Sequence, residues 1–318
     1  MANDFPRTQG EFDGRFGTDE ACRAYLVQLR WPEGFRCPKC GHAKAWPVRG
    51  VRFQCAACGR QTSVTAGTIF QDTRTPLAQW FRAMWIVTSQ KTGTSARTLH
   101  QVLGLGSYHT AWVWLHKLRR AMVRPGRDRL AGRVEVDETF VGALEDGVRG
   151  RGAVKKALIV VAAEEVGRGI GRIRLRRVPD GSAEALQGFI DDVVQPGSVV
   201  HTDGWVGYDR VKAHGYRHKI TFLGDHPEPA NELLPRVHLI VSLLKRWLLG
   251  THQGAVSPAH LDYYLDEFTF RFNRRRSRHR GMLFYRLAQQ AVQVDPVTYR
   301  AMVKRAGRGR RPRRHPKM

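Results

Sequence analysis

Two Cys-x-x-Cys pairs, Cys37-Pro-Lys-Cys40 and Cys55-Ala-Ala-Cys58, fourteen residues apart, constrain this chain more than anything else in it. Each pair sets two thiolates on one tight knuckle, with Gly41 and Gly59 following to let the chain turn. Two knuckles complete the tetrahedral sulfur shell of a Zn²⁺ ion. Between them, 45–48 and 51–54 have the composition of a hairpin, so a zinc ribbon is expected. A redox dithiol needs only one pair. Because all four sulfurs are used, no coordination position stays open and the zinc is expected to be structural, not catalytic. The fifth cysteine, Cys22, falls in a short helix over 20–29 behind the cap residue Thr18, where it reads as a small core residue.

The rest of the chain is basic. Lysine and arginine number 53 against 28 acidic residues in 318, a formal net charge of +25, and the excess is spread over most of the sequence. Such a field attracts polyanions, either nucleic acid or an anionic membrane surface. The longest apolar run, 157–163, is far too short to span a bilayer and no amphipathic surface helix stands out, which leaves nucleic acid. Residues 1–17 are polar and unlike a signal peptide, so a cytoplasmic location is expected. Five cysteines in a chain of that kind do not point to a disulfide scaffold.

After the ribbon the spacing of large residues turns helical. Thr75-Pro76 opens an apolar helix over 77–87, a second follows over 96–103 behind Thr94-Ser95, and Gly104 to Ser107 makes a turn. A third helix near 108–122 carries Trp112, Leu115, Leu118 and Met122 on one side and His116, Lys117, Arg119 and Arg120 on the other. That order is a helix-turn-helix, whose last helix enters the major groove. A plain helical bundle with a solvated basic face reads the same residues equally well. Adjacency to a ribbon and the net charge favour DNA.

Beyond the Pro125-Gly126 linker the period becomes strand-like. In 133–141, Val134, Val136 and Phe140 share one face and Glu135, Asp137 and Thr139 the other. A basic glycine-rich turn over 147–152, an apolar central strand over 157–163, a third strand over 169–178, and a helix over 183–194 capped by Ser182 follow. The next strand, 199–203, ends on Asp203 with Gly204 behind it. A short helix over 208–214, a strand over 218–223, a loop over 224–235 and a helix over 237–249 complete the series. Asp203 on its own reads as a turn aspartate. At the carboxyl end of a strand in an open α/β sheet it is also placed to bind a cation or phosphate. Two carboxylates brought together with no cationic side chain between them repel, and a hard divalent cation such as Mg²⁺ resolves that. The chemistry of such a centre is in-line phosphoryl transfer.

The paired Cys-x-x-Cys, Glu135-Val-Asp137-Glu138-Thr-Phe-Val-Gly142, His201-Thr-Asp203-Gly204-Trp205-Val-Gly-Tyr208, Ser242-Leu-Leu-Lys245-Arg246 and Tyr264 to Arg275 together resemble the DDE-type transposases of bacterial insertion sequences, in the insertion-sequence family numbered fifteen-ninety-five with its ISXO-like transposase domain. The resemblance implies an α/β, RNase H-like catalytic domain, a mixed five-stranded sheet with flanking helices, preceded by a zinc ribbon and a helix-turn-helix. It divides the chain into 18–70, 75–123, 130–292 and a basic tail over 303–318. It implies Mg²⁺ or Mn²⁺ at the catalytic site and a homodimer or higher oligomer assembled on DNA. The activity implied is hydrolysis at element ends to leave a 3′-hydroxyl, which then attacks target DNA.

Aligned on Ser242 to Arg246, the family's third acid falls on His238, with thirty-four residues between it and Asp203. Lys245, two helical turns further on, takes the place of the lysine that holds DNA, with Arg246 beside it. A histidine there can bind metal through a ring nitrogen, favouring Mn²⁺ over Mg²⁺, accept a proton from the attacking water, or serve only the helix. Glu232 is the rival third acid, in the loop before Pro235. Residues 271–280 hold six arginines around Asn273, with Arg274 and Arg275 as DNA contacts. Two other readings stay open: a non-catalytic DNA-binding protein built on the ribbon and helix-turn-helix, and an RNase H-like nuclease without strand transfer.

Overall fold

The structure is a computed structural model that describes residues 4–124, 126–142, 156–222, 225, 227–254 and 256–304. The chain forms two compact units, one from residues up to 125 together with 274–297, the other from 126–273 together with 298–318. The basic turn expected over 147–152 and the tail past 304 lie outside the described residues.

The first unit begins with helices α1 (Gln9–Arg15) and α2 (Asp19–Arg30). Thr18 caps α2, its hydroxyl accepting from the Ala21 N–H, and the helix buries Cys22, Tyr25, Leu26 and Leu29. Strands β1 (Ala45–Val48), β2 (Arg52–Cys55) and β3 (Gln61–Ser63) form an antiparallel sheet in that order. Three helices follow: α3 (Leu77–Ser89), α4 (Ala96–Leu103) and α5 (Tyr108–Ala121). Ser95 caps α4 and Ser107 caps α5, while Gly104 ends α4 at φ +59°, a left-handed conformation that suits glycine.

The second unit is built on a five-stranded sheet. Strands β4 (Arg133–Gly142), β5 (Lys156–Val166), β6 (Gly169–Val178), β7 (Val199–Asp203) and β8 (Arg217–Thr221) lie in the order β6-β5-β4-β7-β8. β5 runs antiparallel to both of its neighbours, β4 and β6, whereas β7 runs parallel to β4 and β8 parallel to β7. Helix α6 (Ala183–Val193), capped by Ser182, connects β6 to β7. A 3-10 turn over Val206–Tyr208 and hydrogen-bonded turns over 209–215 stand where a helix over 208–214 is expected. After β8 come α7 (Ala230–Leu233), α8 (Pro235–His252) and α9 (Leu261–Asn273).

Each face of the sheet has its own core. Val134, Val136, Leu158 and Val160 pack with Leu186, Phe189 and Ile190 of α6. On the opposite face Ile159, Val161 and Ala163 pack with Val237, Ile240 and Leu244 of α8 and Leu265 and Phe268 of α9. β5 is therefore covered on both sides, and its residues 157–163 are all buried, which is why it is apolar without alternation. The alternation of β4 sends its even residues toward α6 and its odd residues, Glu135 and Asp137 among them, toward α8. At the end of α9, Asn273 accepts from the Ile173 N–H at 2.8 Å and donates to the Ile173 carbonyl at 3.2 Å. The asparagine amid the arginines thus completes the open hydrogen bonds of edge strand β6.

Helix α10 (Gly281–Ala291) falls within the catalytic domain expected over 130–292, but it belongs to the first unit. The reason is aromatic packing. Phe284, fully buried, meets Phe12, Phe16, Tyr25, Phe81 and Trp85 at ring-centroid distances of 5.5, 5.5, 6.4, 5.7 and 5.8 Å. α10 thus gives the apolar faces of α1, α2 and α3, which also touch one another, a shared aromatic partner.

Candidate functional site

The four ribbon cysteines converge. Cys37 Sγ lies 3.7 Å from Cys58 Sγ and Cys40 Sγ 3.6 Å from Cys55 Sγ, and all four sulfurs lie within 4.8 Å of one another. A tetrahedron with Zn–S of about 2.3 Å has edges of about 3.8 Å, so the spacing fits zinc, and it is far too long for the ~2 Å bond of a disulfide. The two knuckles repeat one backbone pattern. Cys37 N–H donates to the His42 carbonyl and Gly41 N–H returns to the Cys37 carbonyl, and Cys55, Arg60 and Gly59 do the same. Gly41 and Gly59 sit at φ +73° and +67°, a backbone that a side chain resists. The cysteine cluster supports structural zinc.

The second site lies in the sheet unit. β4 and β7 pair in parallel with Glu135 opposite His201. Two residues further along each strand stand Asp137 and Asp203, the latter being the last residue of β7. Asp203 also makes the turn its sequence promises, accepting from the Trp205 N–H through Oδ1 at 3.1 Å. Asp137 accepts from the Glu138 N–H through Oδ1, and its Oδ2 lies 3.8 Å from Nε2 of His238 on the first turn of α8.

The electrostatics of this group are those of a site short of positive charge. Burial first, then the neighbouring Glu138 and Asp203 carboxylates, push Asp137 up to about 7. Burial pushes His238 below the usual imidazole range, Lys245 adding to the effect and Glu135 and Asp203 opposing it. A neutral His238 keeps a lone pair, and its buried Nε2 has no hydrogen-bond partner among the described residues. Carboxylates and a neutral imidazole are donor types that a divalent cation takes, and a cation beside Asp137 would reverse the force that raises it. Lys245 and Arg246 are exposed on α8, and Glu232 is exposed on α7.

A third acidic group is one the sequence does not announce. Glu135, Glu165 and His201 place one potential ligand atom each within 4.8 Å of one another. The space already holds a cation. Arg236 Nη1 lies 2.7 Å from Glu135 Oε1 and 3.5 Å from Glu165 Oε1, so a metal must displace a guanidinium. His201 is buried, shares a 2.8 Å hydrogen bond with Thr221, and is lowered to about 4, mainly by burial. The alternation of β4 puts Glu135 beside Asp137, but nothing in the sequence pairs it with Arg236.

The expected DNA-contacting residues divide. On α5, Arg119 is 1% exposed and His116 fully buried, a correction to the solvated basic face that included both. The helix buries residues on most of its circumference, Ala111, Trp114, Leu115 and Leu118 among them, which leaves Lys117 and Arg120 half-buried. Lys117 lies over the Trp80 ring, 5.9 Å from its centroid. Arg274 and Arg275 are half-buried. The exposed residues of α5 are instead at its start, Tyr108 and His109, the end that meets bases when such a helix enters a groove. No helix of the described residues is long and apolar enough to cross a membrane.

Comparison with known proteins gives the geometry a family. The profile of the transposase zinc-ribbon domain matches residues 17–61 and that of the ISXO2-like transposase domain matches 129–273. An uncharacterized protein in transposable element ISH50 of Halobacterium salinarum is 27% identical over 277 residues, 80% of this chain and 91% of the relative. A chain of the simian T-cell lymphotropic virus intasome in complex with PP2A regulatory subunit B56 gamma aligns with a TM-score of 0.30 at 13% identity, over 54% of this chain and 67% of its own. The two matches thus place a transposase zinc-ribbon domain at residues 17–61, ahead of an ISXO2-like transposase domain at residues 129–273.

Proposed function

We propose that the protein is a DNA transposase of the DDE type, in which Asp137, Asp203 and His238 hold the divalent cations. One observation supports the reading: Nε2 of His238, with no hydrogen-bond partner among the described residues, stands 3.8 Å from Asp137 Oδ2, while Asp203 ends β7 two residues past the Glu135–His201 pairing. The strand order β6-β5-β4-β7-β8 is that of an RNase H-like sheet, in which the acids gather at this edge. Divalent cations bound there supply activation of the attacking oxygen and stabilisation of the leaving one. His238, neutral and partly buried, serves as a ligand and makes Mn²⁺ a better partner than a carboxylate in its place does. Lys245 and Arg246 hold the DNA backbone. Helices α4 and α5 bind element ends as a helix-turn-helix, with Tyr108 and His109 nearest the bases.

Asp203→Asn tests the reading. The variant keeps binding to labelled element-end DNA and loses cleavage in both Mg²⁺ and Mn²⁺; retention of cleavage overturns the assignment. A second reading is favoured by one residue, the histidine in the third position. On that reading the chain binds element ends without cutting them, and wild-type protein nicks no labelled end in either metal.

A further inference from the structure

Helix α8 begins without a cap of its own. Leu234 in the capping position has no side-chain oxygen, and no local side chain bonds the first turn. The N–H groups of its second and third residues are those a cap normally serves. Both go to a strand. Glu135 Oε2 accepts from the Arg236 N–H at 2.8 Å and from the Val237 N–H at 3.0 Å, and Oε1 accepts from Arg236 Nη1 at 2.7 Å. The carboxylate is fully buried. The Arg236 guanidinium reaches on to the Gly167 and Gly169 carbonyls at 3.0 and 3.2 Å, which fixes the helix end in rotation as well as in position.

The residue after Val237 is His238, and Glu135 precedes Asp137 by two on the same face of β4. We infer that Glu135 is a positioning residue of the proposed metal centre, a remote cap that ties the first turn of α8 to β4 so that the His238 ring meets Asp137. The inference rests on the reading of Asp137, Asp203 and His238 as a cation site. Its physical core is reach. A helix rises about 1.5 Å per residue, and a ring nitrogen binds metal within about 2.0–2.1 Å, so a slip of one residue takes His238 out of the centre. The carboxylate that prevents the slip belongs to the strand that carries the first ligand, so both ligands move with one element.

The test is a double-mutant cycle on the full-length, zinc-loaded protein, read by calorimetric Mn²⁺ titration and not by cleavage. Mn²⁺ is a weak competitor for thiolates, so the ribbon stays silent. Glu135→Gln is expected to lower Mn²⁺ affinity by about tenfold or more, the usual cost of removing a group that orients a ligand. In a His238→Ala background the same change has no further effect, because the ring it positions is gone. Losses that add overturn the inference and leave Glu135 a merely structural residue. Should Glu135→Gln not fold, Arg236→Gln removes the guanidinium while keeping both backbone bonds. It is expected to give a smaller loss that likewise vanishes without His238, and additivity there is equally decisive against the inference. Wild-type Mn²⁺ binding that ignores Asp203→Asn is a separate outcome. It refutes the metal centre itself and removes the ground of the inference.

Discussion

The ribbon and the proposed cation centre of the sheet unit bring ligands together by opposite means. In the ribbon all four cysteines come from one short stretch, and each pair is held by hydrogen bonds within its own knuckle. Asp137, Asp203 and His238 come from β4, β7 and α8, and in the proposed centre they would rely on a parallel register and on a helix end fixed by a distant carboxylate. The first site carries its geometry in one stretch of chain, which metal would hold together. The second would take its geometry from the sheet and the helix packed on it.

The sharpest way to break that contrast is to remove zinc. Structural zinc in small ribbons contributes about 10–16 kcal/mol of apparent binding energy that is also folding energy. Cys55→Ser or strong chelation is therefore expected to unfold β1, β2 and β3, seen as new proteolytic cleavage over 37–63, while amide exchange in β4 and β5 stays slow. Loss of protection in the sheet unit as well means that the two regions are not independent. A smaller effect is expected from Phe284→Ala. Truncating a buried phenylalanine costs about 3–5 kcal/mol, and the loss should appear in the melting of the first unit with the sheet unit unchanged.

The pH dependence of the metal-free protein sharpens the other half. Asp137 is raised from 3.8 to about 7, so the folded state binds its proton more tightly than the unfolded chain does. Its contribution to stability is then fully present below about 3.8 and is lost as pH rises toward 7, by at most about 4 kcal/mol. Asp266 is raised over the same range by burial, so urea titrations across that window are expected to show a steeper downward slope in wild type than in Asp137→Asn, and Mn²⁺ should reduce the difference. The smallest effect belongs to a local cap. Thr18→Ala should cost about 1 kcal/mol of the first unit's stability by denaturant titration, with no change in Mn²⁺ affinity.

What could be read in the sequence was what neighbours in the chain decide. The knuckles and the caps Thr18, Ser95 and Ser182 each act within a few residues, and the structure has every one of these caps. The strands of the second unit were legible because the apolar period changes after Pro125 and because β5 is apolar throughout, whereas their joining into one mixed sheet was implied by the family resemblance. What escaped was decided by distant packing. Arg119 lies on the polar side of α5 by periodicity, yet the helix is covered on most sides. Phe284 follows an arginine-rich run and reads as part of the sheet domain until the rings of Phe12, Phe16 and Phe81 are seen around it. Glu135 shares a face with Asp137 in any strand, but its bonds to Arg236 and Val237 follow from tertiary structure alone.

The return of the chain to complete the first unit bears on how copies of such a gene decay. A stop codon between the codons for Asn273 and Phe284 spares every residue from the ribbon to α9, yet it deletes the ring at the middle of the amino-terminal core. A copy shortened there keeps β4 to α9 but loses the aromatic partner that α1, α2 and α3 share, so the reading frame has to stay open to the far side of α10 for the first unit to be complete.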